Sequence, residues 1–170
     1  MSQPEPSSSL PAAARDFDFL FGHWQVHNRR LRERLAGCEE WEEFDARVET
    51  RPVLGGLGNR EHFDSDWQGG YRGMAIRLYD HGSGQWRIWW ASDRSAVFEP
   101  PVVGGFDGDV GNFYARVDLE GQSVLCRYRW TRIDADQARW DQAFSTDDGA
   151  SWETNWIMHF TRDSARTAAA

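Results

Sequence analysis

Two short stretches decide the fold: Gly22-His23-Trp24 near the start of the chain, and Asn155-Trp156-Ile157-Met158-His159-Phe160-Thr161-Arg162 near its end. Between them lie short aromatic segments separated by glycine-containing turns. A Trp that follows a Gly in the first strand, with an Arg that closes the last strand, is typical of a small antiparallel barrel sealed at one end. Since such a barrel has one open mouth, the sequence predicts a cup for a small ligand.

Composition indicates a single domain and excludes several classes of partner. The 170 residues suffice for one domain with a sizeable core. The net charge of -8 argues against binding to nucleic acid or to an anionic membrane, because both attract basic surfaces. No apolar run approaches the roughly 20 residues that cross a bilayer. Residues 1–15 lack the basic and apolar segments of a secretory signal.

The reactive side chains narrow the chemistry further. Cys38 and Cys126 are far apart in the sequence, as expected of reduced thiols, so the sequence predicts a cytoplasmic protein. All 19 basic side chains are Arg, which excludes Schiff-base catalysis and a phosphate-binding loop that ends in Lys. Arg also suits bidentate contacts with carboxylates inside a pocket.

Turn residues and alternation of apolar with polar residues predict an all-β protein, an up-and-down antiparallel barrel of about ten strands after a short helical turn at 16–21. Residues 16–162 are expected to form one domain between disordered tails at 1–15 and 163–170. A helical segment within 33–43 remains an alternative to the extended interpretation there. The predicted strands are 24–34, 41–51, 58–63, 71–80, 86–92, 96–99, 112–119, 123–133, 138–145 and 152–162.

The motif Phe19-Leu20-Phe21-Gly22-His23-Trp24, with the closing stretch 155–162, resembles the lipocalin-like (calycin) barrels. It is similar to an uncharacterised bacterial lipocalin-like family and, more distantly, to the nitrobindins. The resemblance implies a roughly ten-stranded barrel in which Trp24 and Arg162 pack together at the closed end. Gly22, Trp24 and Arg162 are therefore taken as the structural signature of the fold.

The same resemblance bears on haem. In nitrobindins the last strand carries a haem-ligating His seven residues before the terminal Arg, and here that position is Asn155. An amide is a poor axial ligand for haem iron, so no haem and no other cofactor is expected. His159, four residues further along, is the alternative ligand.

The histidines do not predict a metal site either. His23 and His27 are four residues apart, and on a strand that spacing separates two side chains by about 13 Å, too far to share one ion. No metal is therefore expected.

Polar side chains embedded among aromatic ones are the candidates for ligand binding. They are attractive because a buried Arg or amide needs a partner, which a ligand could supply. The alternatives are an internal ion-pair network with Asp141 or Glu153, or simple exposure on the outer face, and the sequence leaves open which face lines the cavity. The predicted ligand-binding residues are Trp90, Arg127, Tyr128, Trp130, Gln142, Asn155, Trp156 and His159.

The connection at 99–106 carries two prolines and two glycines. One interpretation is a strand-breaking link across a barrel end. The other is a rim loop that shapes the mouth, with Phe98 and Phe106 as its apolar lips.

These features predict a protein that binds a small hydrophobic or aromatic molecule, partly apolar and carboxylate-bearing, in an aromatic barrel cavity. The alternative is a barrel enzyme, an isomerase, cyclase or decarboxylase that uses Arg or Tyr to orient an anionic substrate. Sugar binding is a third interpretation. No pair of nucleophile and base is recognisable, so the sequence identifies no catalytic residue. A homodimer is left open.

Overall fold

Ten strands form one closed antiparallel barrel in the computed structural model, which describes residues 10–167. Each strand pairs with its neighbours in sequence, and β1 closes the barrel by pairing with β10. This arrangement confirms the predicted fold class. The strands are β1 Gly22–Leu31, β2 Trp41–Val53, β3 Gly58–Ser65, β4 Tyr71–Asp80, β5 Gln85–Ser92, β6 Val102–Asp107, β7 Val110–Leu119, β8 Gln122–Arg132, β9 Gln137–Ser145 and β10 Glu153–Arg162.

Short helical elements flank the barrel. Two 3-10 turns, Ala12–Arg15 and Asp18–Leu20, precede β1, and two more, Leu54–Gly56 and Trp67–Gly69, lie in the β2–β3 and β3–β4 connections. A four-residue helix, Ser164–Thr167, follows β10. The outer parts of the two predicted tails, residues 1–9 and 168–170, lie outside the described residues. No helix in the described part of the chain is long and apolar enough to cross a membrane.

The sixth strand lies further along the chain than the sequence predicted. The prediction placed it at 96–99, whereas β6 is Val102–Asp107 and residues 93–101 form a loop. Two consecutive prolines before β6 lack the N–H groups that strand pairing needs. Gly104 then permits close approach to β7, since a Cβ there would overlap the backbone carbonyl of Asn112. The helical alternative for 33–43 is wrong, because that stretch forms bends and the start of β2.

The N-terminal segment plugs one end of the barrel. Phe17 is 1% exposed and packs edge-on against Trp86, with ring centroids 4.9 Å apart. The Nε1 of Trp86 donates a hydrogen bond to the Ala13 carbonyl at 2.9 Å, and Ala14 is fully buried. Residues 12–15, which the sequence prediction assigned to a disordered tail, are therefore part of this plug.

Trp24 and Arg162 meet at the same end. They are register partners across β1 and β10, and the guanidinium carbon of Arg162 lies 4.2 Å from the centre of the Trp24 ring. Arg162 also donates hydrogen bonds to the carbonyls of Phe19 and Phe21 at 2.9 and 2.8 Å. Trp24 donates to the Leu20 carbonyl at 2.8 Å. The pair that the sequence singled out thus fastens the plug to the barrel.

The opposite end is the mouth. Because consecutive strands are antiparallel, the connections alternate between the two ends, and those at 32–40, 66–70, 93–101, 120–121 and 146–152 surround the mouth. Pairing of β5 with β6 ends at Ile88–Val102, and pairing of β6 with β7 ends at Val103–Tyr114. The parts of β5 and β7 nearest the mouth, which we call their upper parts, are therefore not bridged by β6. They leave a gap that the 93–101 loop spans. We call this gap the side slot.

Candidate functional site

A cavity of about 710 Å³ occupies the upper part of the barrel and opens at the mouth and the side slot. Its walls come from inward-facing positions of the strands and from the Trp67–Gly69 turn. Nine aromatic side chains provide much of the surface, and these are Trp67, Tyr71, Trp90, Tyr128, Trp130, Trp140, Phe144, Trp156 and Phe160. The result is a deep apolar pocket of the size that proteins use for small-molecule ligands.

The aromatic walls are held in place by contacts among the rings. Trp140 meets Tyr128 edge-on at 4.9 Å between centroids and meets Trp156 at 5.9 Å. Trp156 is further fixed because its Nε1 donates a hydrogen bond to the side-chain oxygen of Asn28 at 3.0 Å. Such interlocked rings have little rotamer freedom, so the cavity surface is preformed.

Trp90 owes its position to a missing side chain on the next strand. A Cβ at Gly73 of β4 would overlap the Trp90 ring, so the indole lies directly over the glycine backbone. The Trp90 ring also meets Phe63 edge-on at 6.0 Å. Gly73 thereby creates the space in which Trp90 forms part of the cavity wall.

Three arginines face the mouth without forming an ion pair within the described residues. The Arg30 guanidinium lies 5.3 Å from the ring centres of both Trp67 and Trp156, and its Nε is buried without a hydrogen-bond acceptor. Arg34 lies 5.5 Å from the ring of Phe144. Arg94 donates to the carbonyls of Gln68 and Gly70. Among the residues that the structure describes, none of the three forms an ion pair with a carboxylate.

The electrostatics of the cavity differ from those of the whole chain. Five arginines and three carboxylates line it, whereas the chain carries a net charge of -8. Burial lowers the pKa of Arg30 and nearby Arg34 lowers it further, whereas Tyr71 and Glu42 oppose that fall. Burial raises the pKa of the Glu99 carboxyl at the same mouth, and Arg34 opposes that rise. An acidic protein thus presents a positively charged cavity entrance.

A buried ion pair forms the floor of the cavity, above the plug. Arg77 is 2% exposed and Glu61 is 4% exposed, and both line the cavity. The Arg77 Nη2 donates to Glu61 Oε2 at 2.5 Å, and the Nη1 donates to Asn59 Oδ1 at 2.9 Å. The guanidinium carbon lies 5.3 Å from the ring centre of Phe17, so the floor rests on the plug.

Five of the eight predicted ligand-binding residues line the cavity, and they are Trp90, Tyr128, Trp130, Gln142 and Trp156. They occupy inward-facing positions of β5, β8, β9 and β10. Burial raises the pKa of the Tyr128 hydroxyl, which keeps it neutral and able to donate a hydrogen bond.

Arg127 lies on the outer face of the barrel, contrary to the prediction. Its guanidinium carbon is 4.6 Å from the ring centre of Trp152, and Nη2 is 3.9 Å from Asp141 Oδ1. Neighbouring residues on a strand point to opposite faces, so Arg127 and Tyr128 could not both line the cavity. The alternative of an ion pair with Asp141 describes Arg127 correctly.

His159 and Asn155 also lie outside the cavity. His159 is exposed on the outer face beside His27, its register partner. Desolvation lowers the pKa of His159, and Arg139 and His27 lower it further. Asn155 is fully buried at a β-bulge in β10, where its Oδ1 accepts a hydrogen bond from Gln142 Nε2 at 2.7 Å. Asn155 therefore supports the wall behind Gln142.

Of the two phenylalanines expected at the rim of the mouth, one lies there and the other does not. Phe98 belongs to the 93–101 loop at the mouth, where it is 46% exposed. Phe106 lies at the closed end instead, because β6 runs towards the plug, and its ring centroid is 5.0 Å from that of Phe17. Within the described residues, no group of three His, Cys, Asp or Glu side chains is placed to hold a metal ion.

The mouth arginines and the floor pair were not among the residues predicted from the sequence. Arg30 follows Val26 and Asn28 at the alternate positions of β1 that face inward, so the alternation could have predicted that Arg30 points into the barrel. Arg77 likewise stands at an inward position of an otherwise apolar alternation in β4. Glu61 shares the inward face of β3 with Asn59 and Phe63, so the pattern of that strand was a weaker signal. Arg34 and Arg94 lie in loops, where no periodicity indicates direction.

Comparison with known proteins adds information about the fold. No protein-family model matches the chain, and no curated protein matches it. An S-type phycobiliprotein lyase from Guillardia theta has 14% sequence identity and a TM-score of 0.56, over 86% of this chain and 90% of that chain. A redesigned β-barrel has 12% identity and a TM-score of 0.49, over 92% of this chain and 99% of that one. The protein EF1p2_mFAP2b, bound to DFHBI, has 12% identity and a TM-score of 0.49, over 89% of this chain and 100% of that one. Similarities at this level of identity concern the barrel fold alone.

Proposed function

We propose that this protein binds a small molecule that combines an apolar, aromatic body with a carboxylate. The aromatic body would occupy the cavity, and the carboxylate would lie at the mouth between Arg30, Arg34 and Arg94. The sequence predicted the same class of ligand but included Arg127 among the ligand-binding residues. Here Arg30, Arg34 and Arg94 replace Arg127 as the arginines that bind the carboxylate. The lipocalin-like resemblance, in which a barrel cup holds a ligand, agrees with it.

The observation that carries the proposal is the state of Arg30. Its guanidinium lies between two indoles, has a buried Nε with no acceptor, and forms no ion pair with a carboxylate among residues 10–166. Glu42, its register partner on β2, acts on it only at longer range. A buried charged group without a partner costs free energy, so an anion that supplied one would bind favourably. Arg is also the side chain best suited to bidentate contact with a carboxylate.

The test compares an acid with its neutral analogue. Biphenyl para-carboxylate and the corresponding carboxamide are titrated calorimetrically into the wild type and into Arg30→Gln. We expect the wild type to prefer the acid, and Arg30→Gln to weaken the acid more than the amide by about 1.5–3 kcal/mol, the value of a charge-assisted hydrogen bond.

Arg127→Gln is the matched control, because it removes an arginine from the outer face of the same barrel. It should leave the preference for the acid unchanged. Equal losses of acid and amide in Arg30→Gln would show that Arg30 is structural. Failure of the acid to bind the wild type at millimolar concentration would contradict the proposal as a whole.

A second candidate, the enzyme alternative, is favoured by one observation. Glu99, whose carboxyl has a raised pKa, lies at the same mouth as Arg34, and a general acid or base works best with a pKa close to the working pH. If the protein turns over a bound acid, mass spectrometry after long incubation should show product with the wild type and much less with Glu99→Gln. An unchanged acid in both samples would leave binding as the function.

A further inference from the structure

The floor of the cavity holds a polar group that the proposed carboxylate site does not use. Glu61 is only 4% exposed, yet it lines the cavity. It lies on β3 at an inward position between Asn59 and Phe63, so its carboxyl group projects from the wall of the barrel towards the interior.

The contacts of Glu61 are one-sided. Oε2 accepts a hydrogen bond from Arg77, whose guanidinium is held below by Asn59 and lies between the rings of Phe17 and Trp130. No residue among 10–166 donates a hydrogen bond to the other oxygen, Oε1. A carboxylate can accept several hydrogen bonds, so Glu61 retains acceptor capacity at the bottom of the cavity.

The charge of the floor is already balanced. Arg77 and Glu61 form a close pair, so the floor as a unit is neutral while Oε1 remains a strong acceptor. A neutral donor, such as a hydroxyl group, matches this arrangement. A second carboxylate would meet repulsion from Glu61, and a cation would add a net charge to a buried site.

We propose that Glu61 accepts a hydrogen bond from a hydroxyl group at the inner end of the ligand. The ligand class is therefore a hydroxylated aromatic acid with its two polar groups at opposite ends: the carboxylate at the mouth arginines and the hydroxyl at the floor. This inference rests on the proposed function, because it assumes that the carboxylate faces the mouth.

The barrel also sets the length of such a ligand. Ser65, where β3 ends at the mouth, is four positions along the strand from Glu61. At ~3.3 Å per residue this is about 13 Å along the strand, and about 10 Å along a barrel axis from which strands tilt by roughly 40°. Two linked aromatic rings with para substituents have a comparable length.

The experiment compares three ligands on the intact protein. They are biphenyl para-carboxylate and the same acid with a para-hydroxyl or a para-methoxy group on the second ring. We expect the hydroxyl to tighten binding at least about tenfold, which corresponds to ~1.4 kcal/mol. The methoxy compound cannot donate, so it should bind no more tightly than the parent acid.

The outcomes separate this inference from the proposed function. If the parent acid binds and the hydroxyl gives no advantage, the floor inference is wrong and the carboxylate site stands. If the methoxy compound gains as much as the hydroxyl compound, the gain comes from apolar contact and the inference is again wrong. If none of the three acids binds, the proposed function fails and the floor inference fails with it.

Variants at the floor provide a second test. Glu61→Met, which removes both acceptor oxygens, should reduce the hydroxyl advantage to less than about threefold while the parent acid keeps its affinity. Glu39→Met, in an exposed loop, should change neither. Because removal of one partner of a buried ion pair can destabilise the fold, Glu61→Met is also combined with Arg77→Met, which removes both charges together with the acceptor. A hydroxyl advantage that survives in a folded variant of either kind would overturn the inference.

Discussion

Trp24 and Arg162 show how two residues at opposite ends of a chain can close a barrel. The guanidinium of Arg162 covers the Trp24 ring at 4.2 Å and is hydrogen-bonded to the carbonyls of Phe19 and Phe21. These contacts combine aromatic burial, a cation–π interaction and hydrogen bonds to two carbonyls of the plug. One side chain therefore joins the last strand, the first strand and the N-terminal plug.

Trp24→Ala should lower the free energy of unfolding by about 3–5 kcal/mol, as truncation of a large buried aromatic does. Chemical denaturation followed by circular dichroism measures the change. Trp41→Ala is the matched control, because Trp41 also has an arginine above its ring, Arg29 at 5.1 Å, but is only half-buried at the mouth end of the barrel. Similar losses in the two variants would contradict the sealing role of Trp24.

Cys126 illustrates how the cavity controls reactivity. Burial raises the pKa of its thiol to about 12, and Glu99 adds to the effect. Since the thiolate is the reactive form and the pKa lies far above neutrality, almost all of Cys126 is protonated at pH 8.

A thiol titration should therefore distinguish the two cysteines. At pH 8 a disulfide reagent is expected to label Cys38 in the native protein and both thiols after denaturation. Cys38→Ser should abolish the native reaction. Rapid labelling of that variant without denaturant would mean that Cys126 is not shielded as the structure describes.

At the scale of elements, the packing of β4 against β5 shapes the cavity wall. Gly73→Ala would place a methyl group where the Trp90 ring lies. We expect the variant to lose about 1–3 kcal/mol of stability through overpacking, and to bind biphenyl para-carboxylate less tightly because Trp90 is displaced. Denaturation and calorimetry measure the two effects.

Gly105→Ala is the control for that substitution, since a Cβ at Gly105 meets no atom within 4 Å. It should change stability and ligand affinity little. If Gly73→Ala behaves like Gly105→Ala, the wall around Trp90 is more adaptable than its close contact with the glycine implies.

For the molecule as a whole, the pairing of strands around the barrel is uneven. β1 and β2 are paired from Gly22–Thr50 to Leu31–Trp41, whereas β5 and β6 are paired only from Trp86–Gly104 to Ile88–Val102 within the described barrel. The side slot lies where pairing stops. Segments with fewer paired neighbours open locally at a lower free-energy cost.

Hydrogen exchange should reveal this unevenness. Amides in the upper part of β5 and in the 93–101 loop are expected to exchange faster than those of β1 and β2, which serve as the internal reference. A bound aromatic acid should slow exchange near the side slot more than at the closed end. Uniform protection around the barrel would show that the slot does not weaken the wall.

Much of the fold could be predicted from the sequence because its determinants are local. Turns rich in glycine and aspartate mark the hairpins, and alternation marks the strands, so nine of the ten strands were located approximately. The exception, β6, follows two prolines and contains adjacent glycines, whose contacts with β7 are not encoded in its own pattern.

The candidate site was predictable only in part, and the difference has a physical cause. Alternation within β8 assigns Arg127 and Tyr128 to opposite faces but does not say which face is inside, because that depends on how the sheet closes. The apolar companions of Tyr128 favoured its inward placement, and the structure has it there.

The sequence by itself determined a ten-stranded barrel with a Trp–Arg pair at one end and aromatic residues for a cavity. Only the tertiary structure decided where the charges of the site lie. Arg30 reaches the mouth from the end of β1 and Arg94 reaches it from the 93–101 loop, far away in the sequence, and Glu61 meets Arg77 through pairing of β3 with β4. Such positions depend on strand register and barrel closure, which are set by long-range pairing rather than by local preference.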